Sequence, residues 1–341
     1  MIKKNLCGLT ADEILELIQP SGFTSAHAVT ISNNIYKKSH SDISQIERIP
    51  NRLKAALSDM AVSGMFLPLS SEISTDGSIK YFFRTDAGKE FETVFIPEKK
   101  RNTVCVSTQS GCRMGCSFCV TAKFGYKGNL SAGEIINQII SIPQARKITH
   151  VVFMGMGEPM DNLENVLQAC NILTSEWGLA FSSKNITVST VGILPGVEQF
   201  LRRSECNLTL SVYSPFKEER ETVIPMEAKF PVQQIIEMMK CFQVTKKRRL
   251  SLAYVMVKNI NDTIKHLEGI KSISKNSALR VNLLPYHPVA DDINSSSSIE
   301  RMEFFKHNLI ISGISASIRK SRGADISAAC GLLASGLKRH D

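Results

Sequence analysis

The run Gly111-Cys112-Arg113-Met114-Gly115-Cys116-Ser117-Phe118-Cys119 carries the strongest fold signal in this chain of 341 residues. Its spacing, C-x3-C-x2-C, supplies three thiol ligands, one fewer than the four that fill an ordinary iron–sulfur or zinc site. A cubane iron–sulfur cluster held by three thiolates keeps one iron open, and that iron can chelate a small molecule. Two other interpretations remain open at this point: a zinc knuckle completed by a distant Cys or His, and a chance cluster of buried thiols.

From residue 103 onward, strand-like segments alternate with helical periodicity, and the cysteine run follows the first of these strands. The predicted strands cover residues 103–108, 149–154, 185–190, 207–213, 250–257 and 279–284; the predicted helices cover residues 131–142, 163–175, 196–203, 232–242, 262–274 and 299–311. Six β–α units predict a parallel sheet with right-handed crossovers. Because six units fall short of the eight in a closed barrel, the predicted fold class is α/β, with an open, partial (β/α)6 barrel.

Glycine and polar residues stand near the predicted strand ends, where such barrels place their catalytic groups. They are Gly157 and Glu158 after the second strand, Ser189 in the third, Ser211 and Tyr213 in the fourth, and Asn282 in the sixth. Glycine lets the backbone approach a ligand closely, and the Glu158 carboxylate can accept a hydrogen bond from an ammonium group. The alternative for Gly157-Glu158 is a tight turn with a carboxylate in solvent.

The residues before the barrel are predicted to form two smaller units. A Thr-x-x-Glu capping box opens a helix at Ala11–Ile18, and apolar residues at steps of three and four from Ile46 to Leu57 predict another helix. Alternating residues predict a hairpin with strands at 79–85 and 91–96. The predicted domains are a helical accessory domain at 1–64, a β-hairpin extension at 65–102, and the barrel with a C-terminal segment at 103–341.

The chain is basic, with 41 Lys and Arg against 32 Asp and Glu, a net charge of +9 and a pI near 9.1. This balance fits a polyanionic partner, most simply RNA, and on composition alone it fits a solvated basic surface with no partner equally well. The absence of a signal peptide and of a membrane-length apolar run, with an odd number of unevenly spaced cysteines, predicts a reducing cytoplasmic location. The basic clusters are Lys99-Lys100-Arg101, Lys246-Lys247-Arg248-Arg249 and Arg319-Lys320-Ser321-Arg322.

Two further thiols, Cys105 on the first strand and Cys330 near the carboxyl terminus, are not needed as cluster ligands. Small neighbours leave Cys330 accessible, so a thiolate there could act as a nucleophile and be regenerated through a disulfide with a second thiol. A buried small hydrophobic role is an equally good interpretation of each from the bare sequence.

Taken together, these motifs resemble one family over nearly the whole chain, the RlmN/Cfr radical S-adenosylmethionine (SAM) RNA methyltransferases. The resemblance includes the paired Cys105 and Cys330, which are more specific than the cluster motif alone. The matching segments are Glu92-Thr93-Val94-Phe95-Ile96-Pro97, Cys105-Val106-Ser107-Thr108-Gln109, the cysteine run, Met154-Gly155-Met156-Gly157-Glu158-Pro159, Ser189-Thr190-Val191-Gly192, Asn282-Leu283-Leu284-Pro285 and Asp325-Ile326-Ser327-Ala328-Ala329-Cys330-Gly331.

The resemblance implies a mechanism that methylates an adenine ring carbon. Cys330 would take a methyl group from one SAM, and a second SAM at the cluster would yield the 5′-deoxyadenosyl radical that activates this methyl group for addition to the base. Glu92 would accept a proton, and Cys105 would release the product by forming a disulfide with Cys330. The implied ligands of a [4Fe-4S] cluster are Cys112, Cys116 and Cys119; the implied SAM-binding residues are Gly157, Glu158, Ser189, Ser211, Val212, Tyr213 and Asn282.

The chain departs from the family at two places, since Tyr213 stands where a His is usual and Ala324 stands where RlmN usually has Asp. Pro159 after Glu158 and Asn162 resemble RlmN and favour carbon 2 of adenine over the carbon 8 of Cfr. The implied targets are adenine 2503 of 23S ribosomal RNA and adenine 37 of certain transfer RNAs. The resemblance further implies a flavodoxin or ferredoxin as electron donor and a monomeric enzyme. The competing interpretations are a radical-SAM enzyme acting on a peptide or small molecule and a zinc-containing RNA-binding protein without catalysis.

Overall fold

A computed structural model describes residues 3–242, 248–288 and 292–334. Its strands are β1 (Lys4–Asn5), β2 (Ala61–Val62), β3 (Ser70–Ile73), β4 (Ile79–Arg84), β5 (Glu90–Ile96), β6 (Thr103–Cys105), β7 (Gln109–Gly111), β8 (Tyr126–Asn129), β9 (His150–Phe153), β10 (Ile186–Thr190), β11 (Asn207–Ser211), β12 (Leu250–Met256), β13 (Arg280–Pro285) and β14 (Ala316–Ile318). Its helices are α1 (Ala11–Ile18), α2 (Ser25–Tyr36), α3 (Asn51–Met60), α4 (Val120–Phe124), α5 (Ala132–Ile140), α6 (Leu163–Thr174), α7 (Leu194–Arg203), α8 (Lys217–Glu221), α9 (Val232–Cys241), α10 (Ile264–Ser274) and α11 (Ile299–Ile311).

Within the described residues, one open sheet of ten strands runs in the order β14-β13-β12-β11-β10-β9-β6-β5-β4-β3. The strands from β6 to β14 along this order are parallel, and β5, β4 and β3 extend the sheet in antiparallel fashion beyond β6. The open, partial barrel is confirmed, and each predicted strand and helix of the barrel is present with ends shifted by a few residues. The seventh parallel strand, β14, was not predicted, because three residues are too few to show a period of two.

The amino-terminal helices show where periodicity is reliable and where it is not. Helix α1 has the predicted bounds, and its capping box is formed: the Thr10 amide donates to Glu13 Oε2 at 2.7 Å and the Glu13 amide donates to Thr10 Oγ1 at 3.2 Å. The helix predicted from Ile46 was wrong in its first turn, since α3 begins at Asn51. Pro50 disfavours helical backbone in the residue before it, and Arg48 has a positive φ of 60°.

The predicted hairpin is confirmed as β4 and β5, which pair in register from Ile79 opposite Phe95 to Arg84 opposite Glu90. Phe83 and Phe91 stack across the pair with ring centroids 5.5 Å apart. Their side chains belong to one hydrophobic core that continues from α1 and α2 through the hairpin into the barrel. None of the described helices is both long enough and apolar enough to cross a membrane.

Candidate active site

The cysteine run forms a loop between β7 and α4, and the start of this loop contacts Gly125, the residue that follows α4. Gly111 has a φ of 77°, and a Cβ atom there would lie 1.5 Å from the carbonyl oxygen of Gly125. The Cys112 amide donates to that same oxygen at 3.1 Å, and the Cys119 amide donates to the Cys116 carbonyl at 3.2 Å. The backbone therefore fixes the loop locally, and its first residue can only be glycine.

The three thiols of this loop line one cavity, with Cys116 buried and with Cys112 and Cys119 half-buried. Burial above all, with smaller contributions from the Glu158 carboxylate and the neighbouring thiols, raises the pKa of Cys112 to about 12 and also raises the pKa of Cys116. Three thiolates so placed repel one another unless a cation compensates them, so the donor set fits an iron–sulfur cluster. No three His, Cys, Asp or Glu side chains among residues 3–242, 248–288 and 292–334 are already gathered in a metal-holding arrangement.

Glu158 enters the same cavity from the loop after β9. Gly157 before it has a φ of 98°, and a Cβ atom there would lie 2.7 Å from the Gln109 amide nitrogen. The Glu158 carboxylate accepts hydrogen bonds from Thr190 Oγ1 at 2.5 Å and from the Val191 amide at 2.9 Å. Because the group is buried, its pKa is raised to about 7 despite these bonds. Hydrogen bonds therefore fix the Glu158 carboxyl group in place on the wall of the cavity.

The other predicted SAM-binding residues are divided between the cavity wall and the core. Ser189, Ser211, Tyr213 and Asn282 line the cavity together with Gly157 and Glu158. Tyr213 has a φ of 61° and stacks on Phe118 of the cysteine loop, with ring centroids 5.8 Å apart. The side chain of Val212 is instead buried in the hydrophobic core and is not among the described residues that line the cavity.

Sequence reasoning missed Arg220, a fully buried arginine in α8 that ties the strand ends together. Its Nε donates to the Val212 carbonyl at 2.9 Å, and its Nη2 donates to the carbonyls of Val191 at 2.6 Å and Ser211 at 3.0 Å. Its Nη1 forms an ion pair with the buried Glu227. Nothing in the sequence around Arg220 distinguishes it from a surface residue, because most of its acceptors are backbone carbonyl groups, which every residue type supplies.

Cys330 lies where two cavities meet. It lines the cavity of the three cysteines, and it also lines a second cavity of about 300 Å³ that contains Cys105. Cys105 is buried in the middle of the sheet, paired with Val94 on one side and Val152 on the other, whereas Cys330 is exposed. Burial first, and Cys330 second, raises the pKa of Cys105 to about 12. The two thiols predicted to act together are therefore neighbours in space.

Glu92 is buried on β5, and its carboxylate has two partners. Oε2 accepts a hydrogen bond from the Ala334 amide at 2.8 Å, and Oε1 lies 3.4 Å from Nζ of Lys80. Burial raises the pKa of Glu92, although Lys80 and the Ala334 amide oppose this effect. Glu92 is not among the described residues that line either cavity around Cys330. Its contact with Ala334 joins the hairpin to the segment that carries Cys330.

The same segment is attached at two further places. Asp325 accepts hydrogen bonds from Ser74 Oγ at 2.6 Å and from the Thr75 amide at 2.9 Å, and Asp76 accepts one from the Gly323 amide at 2.9 Å. Beyond Cys330, the Val120 amide donates to the Gly331 carbonyl at 2.8 Å and Thr121 Oγ1 donates to the Leu333 carbonyl at 3.0 Å. Cys330 is thus held between the turn that joins β3 to β4 and helix α4.

The predicted basic clusters differ in their surroundings. Lys246 and Lys247 lie outside the described residues. Arg248 is buried and donates from Nη1 to the Leu201 carbonyl at 2.7 Å, so its predicted place on an RNA-binding surface was wrong. Residues 319–322 contribute Arg319, Lys320 and Arg322 to the second cavity, and Arg101 of the first cluster lines it as well.

This fold and cavity define a radical SAM enzyme, and comparison with known proteins agrees. Residues 106–268 match the family model of the radical SAM superfamily. The structure aligns with the crystal structure of a radical SAM methyltransferase from Sphaerobacter thermophilus with a TM-score of 0.89 and 33% identity, covering 97% of this chain and 99% of that one.

Curated relatives specify the family. The chain is 40% identical over 331 residues to the probable dual-specificity RNA methyltransferase RlmN of Parabacteroides distasonis, covering 97% of this chain and 96% of that protein. It is 34% identical to the dual-specificity RNA methyltransferase RlmN of Geobacter sulfurreducens, covering 96% of this chain and 91% of that protein. The chain therefore belongs to the RlmN family of dual-specificity radical SAM RNA methyltransferases, and it is an enzyme of that class.

Proposed function

We propose that this enzyme methylates carbon 2 of adenine, at position 2503 of 23S ribosomal RNA and at position 37 of certain transfer RNAs, through covalent work shared by Cys330 and Cys105. The observation that carries the proposal is the position of Cys330. Its side chain lines the cavity of Cys112, Cys116 and Cys119 and also the cavity of Cys105. A thiol in this place can take a one-carbon unit from a SAM site and afterwards form a disulfide with the thiol of Cys105.

In this proposal Cys112, Cys116 and Cys119 hold a [4Fe-4S] cluster, which, with SAM bound, supplies the one-electron chemistry that activates an unreactive carbon–hydrogen bond. The cavity walls bind and orient the cosubstrate: Glu158 offers a carboxylate to an ammonium group, and Tyr213 and Phe118 offer apolar surface. The hydroxyl and amide groups available for its polar atoms belong to Ser189, Ser211 and Asn282.

The thiol steps are two displacements, the first by the Cys330 thiolate at the methyl carbon of SAM and the second by the Cys105 thiolate at Cys330 Sγ. Cys330 Sγ attacks the methyl carbon of SAM, so a carbon–sulfur bond forms and S-adenosylhomocysteine leaves with the electron pair. Once the one-carbon unit is joined to adenine, the Cys105 thiolate attacks Cys330 Sγ, forming a disulfide and breaking the carbon–sulfur bond. The electron pair remains on the released carbon, which takes a proton. Joining the one-carbon unit to adenine removes a hydrogen atom from the S-methyl group and an electron and a proton from the ring; the hydrogen atom and the electron would pass to the cluster with its SAM. Glu92 accepts the proton, and burial favours its protonated form.

The choice of carbon 2 is supported by Pro159 and Asn162 beside Glu158, which resemble RlmN. Pro159 begins the short 3₁₀ turn that follows Glu158, and Asn162 is buried with its Nδ2 donating to the Thr108 and Leu130 carbonyls. We propose further that residues 1–64 assist RNA binding, that a cytoplasmic flavodoxin or ferredoxin supplies electrons, and that the enzyme acts as a monomer.

Mass spectrometry of ribosomal and transfer RNA from cells with and without the gene tests the proposal. We expect loss of 2-methyladenosine in the cells that lack the gene. Loss of 8-methyladenosine instead would assign the carbon-8 chemistry of Cfr, and unchanged RNA would contradict an RNA substrate. Metal analysis of the anaerobically purified protein separates catalysis from the zinc alternative: iron and sulfide give a brown protein, whereas zinc gives a colourless one.

A further inference from the structure

The second cavity beside Cys330 lies where the two edges of the parallel sheet face each other. It is lined by Cys105 of β6 and Val152 of β9 from one edge, and by Ile318 of β14 and Leu284 of β13 from the other. Arg319, directly after β14, crosses the gap and donates from Nη1 to Met154 Sδ at 3.1 Å. The open edge of the partial barrel therefore gives access to both thiols without passing the three cysteines of the loop.

The described lining of this cavity is strongly cationic. It includes Arg101, Arg319, Lys320 and Arg322, and Glu98 is its one acidic residue among the described positions. Burial, and then repulsion from Arg319, lowers the pKa of Arg101. Positive groups are thus brought close together with little compensating negative charge.

Arg322 has too few acceptors for the hydrogen-bond donors of its guanidinium group. Its Nε is buried and has no hydrogen-bond partner within the described part of the chain. Its two ion pairs are long, at 4.0 Å to Asp76 and 3.8 Å to Glu98. A buried guanidinium donor without an acceptor is costly, and a bound anion would satisfy it.

We propose that RNA reaches Cys330 through this cavity, with Arg101, Arg319 and Arg322 binding phosphates next to the target adenosine. The inference rests on the proposed function, because it takes the first cavity as the SAM site and so leaves the second for the base. Guanidinium groups match phosphate oxygens in pairs, and a single strand presents both its phosphates and its unstacked bases. The phosphate contacts then position the strand, while the adenine lies against Cys330 and leaves Cys105 free to reach Cys330 Sγ.

The test measures binding of a fluorescent single-stranded oligoribonucleotide containing adenosine, over a range of salt concentrations, to the wild-type protein and to Arg101→Gln, Arg319→Gln and Arg322→Gln. Each variant should bind about tenfold more weakly at low salt and lose about 0.7 from the slope of log affinity against log salt. Arg202→Gln is the matched control, since Arg202 is an exposed arginine of α7 paired with Glu198 at 2.8 Å. Thermal unfolding identifies a misfolded variant; Arg322→Lys, which keeps the charge but loses the planar fork, then replaces Arg322→Gln.

Unchanged affinity and slope in folded Arg101, Arg319 and Arg322 variants would overturn the inference even if the wild-type enzyme methylates RNA. Binding of inorganic phosphate is measured on the same variants. If they lose phosphate binding but bind RNA as the wild type does, the inference is overturned too, because the cavity would then hold only a small anion. A wild-type enzyme that methylates no RNA would contradict the proposed function. In that case the binding slopes still decide whether these arginines contact RNA.

Discussion

The cysteine loop and the segment around Cys330 bring thiols to the same cavity but are held in opposite ways. The loop is fixed mainly by contacts within its own neighbourhood, such as the close approach of Gly111 to Gly125 and the bond from the Cys112 amide; its one distant backbone bond within the described residues runs from the Ser117 amide to the Val223 carbonyl at 3.0 Å. The Cys330 segment is fixed by hydrogen bonds to distant residues, among them Asp76 and Ala334's partner Glu92. A locally closed loop suits a site that must keep its ligands, and a tethered segment suits a nucleophile that must exchange partners.

The largest expected effect is at the loop. Changing Cys112, Cys116 or Cys119 to Ala should remove the cluster and all SAM cleavage, because three thiols are the minimum ligand set. Iron content and 5′-deoxyadenosine production of anaerobically reconstituted protein are the measurements. Cys241→Ala is the control, since Cys241 is exposed on α9. A loop variant with full iron and full 5′-deoxyadenosine would disprove the assignment.

The two thiols of the second cavity should fail at different stages. Cys330→Ala should carry no methylated residue, because the nucleophile is gone. Cys105→Ala should accept the methyl group and join it to RNA, then stall with RNA held on Cys330, because no thiolate releases it. Denaturing gels of both variants purified from cells, with and without nuclease, are the measurement. A Cys105→Ala enzyme that turns over without a nuclease-sensitive adduct would rule out the shared mechanism.

The stability of the protein should depend on Arg220, which bonds the backbone where β10 and β11 end. Arg220→Leu leaves the buried Glu227 carboxylate without its cation and removes donors from three carbonyl groups, which should cost about 3–5 kcal/mol in the free energy of unfolding. Urea unfolding measures this loss. Arg202→Leu, an exposed pair partner, should change stability by about 0.5 kcal/mol or less. Equal effects of the two changes would show that the buried arginine is not a structural tie.

The smallest effect is expected for the hydrogen bonds of Asp325 and Asp76 that attach the Cys330 segment to the turn between β3 and β4. Asp325→Asn weakens the hydrogen bonds to the turn between β3 and β4, and Asp76→Asn weakens the bond to Gly323, so the segment that carries Cys330 should open more often. We expect a several-fold faster alkylation of Cys330 by iodoacetamide, with unchanged iron content. Asp42→Asn, which removes only a local cap at Ser44, is the control. Slower or unchanged labelling would mean that the segment is as rigid as the loop.

How far the sequence leads depends on the range of the interactions involved. The start of helix α1 could be predicted because its capping box lies within four consecutive residues. The parallel sheet could be predicted from the repeated β–α units. Strand β14 and the burial of Arg248 could not be predicted, because each depends on partners far along the chain. The role of Arg220 could not be predicted either, because backbone carbonyl acceptors leave no signal in the sequence. The placement of Cys105 beside Cys330 was expected from family resemblance and not from any local pattern.

The position of Cys105 in the middle of the sheet has a consequence for how the enzyme returns to its starting state. Its strand pairs on both sides and its thiol is buried, whereas Cys330 is exposed, so an external reductant meets the proposed disulfide first at Cys330. That attack expels Cys105, whose pKa of about 12 makes it a poor leaving group. Each round of methylation would then end in a slow reductive reset, and under a limited thiol supply the enzyme would accumulate in its oxidised form.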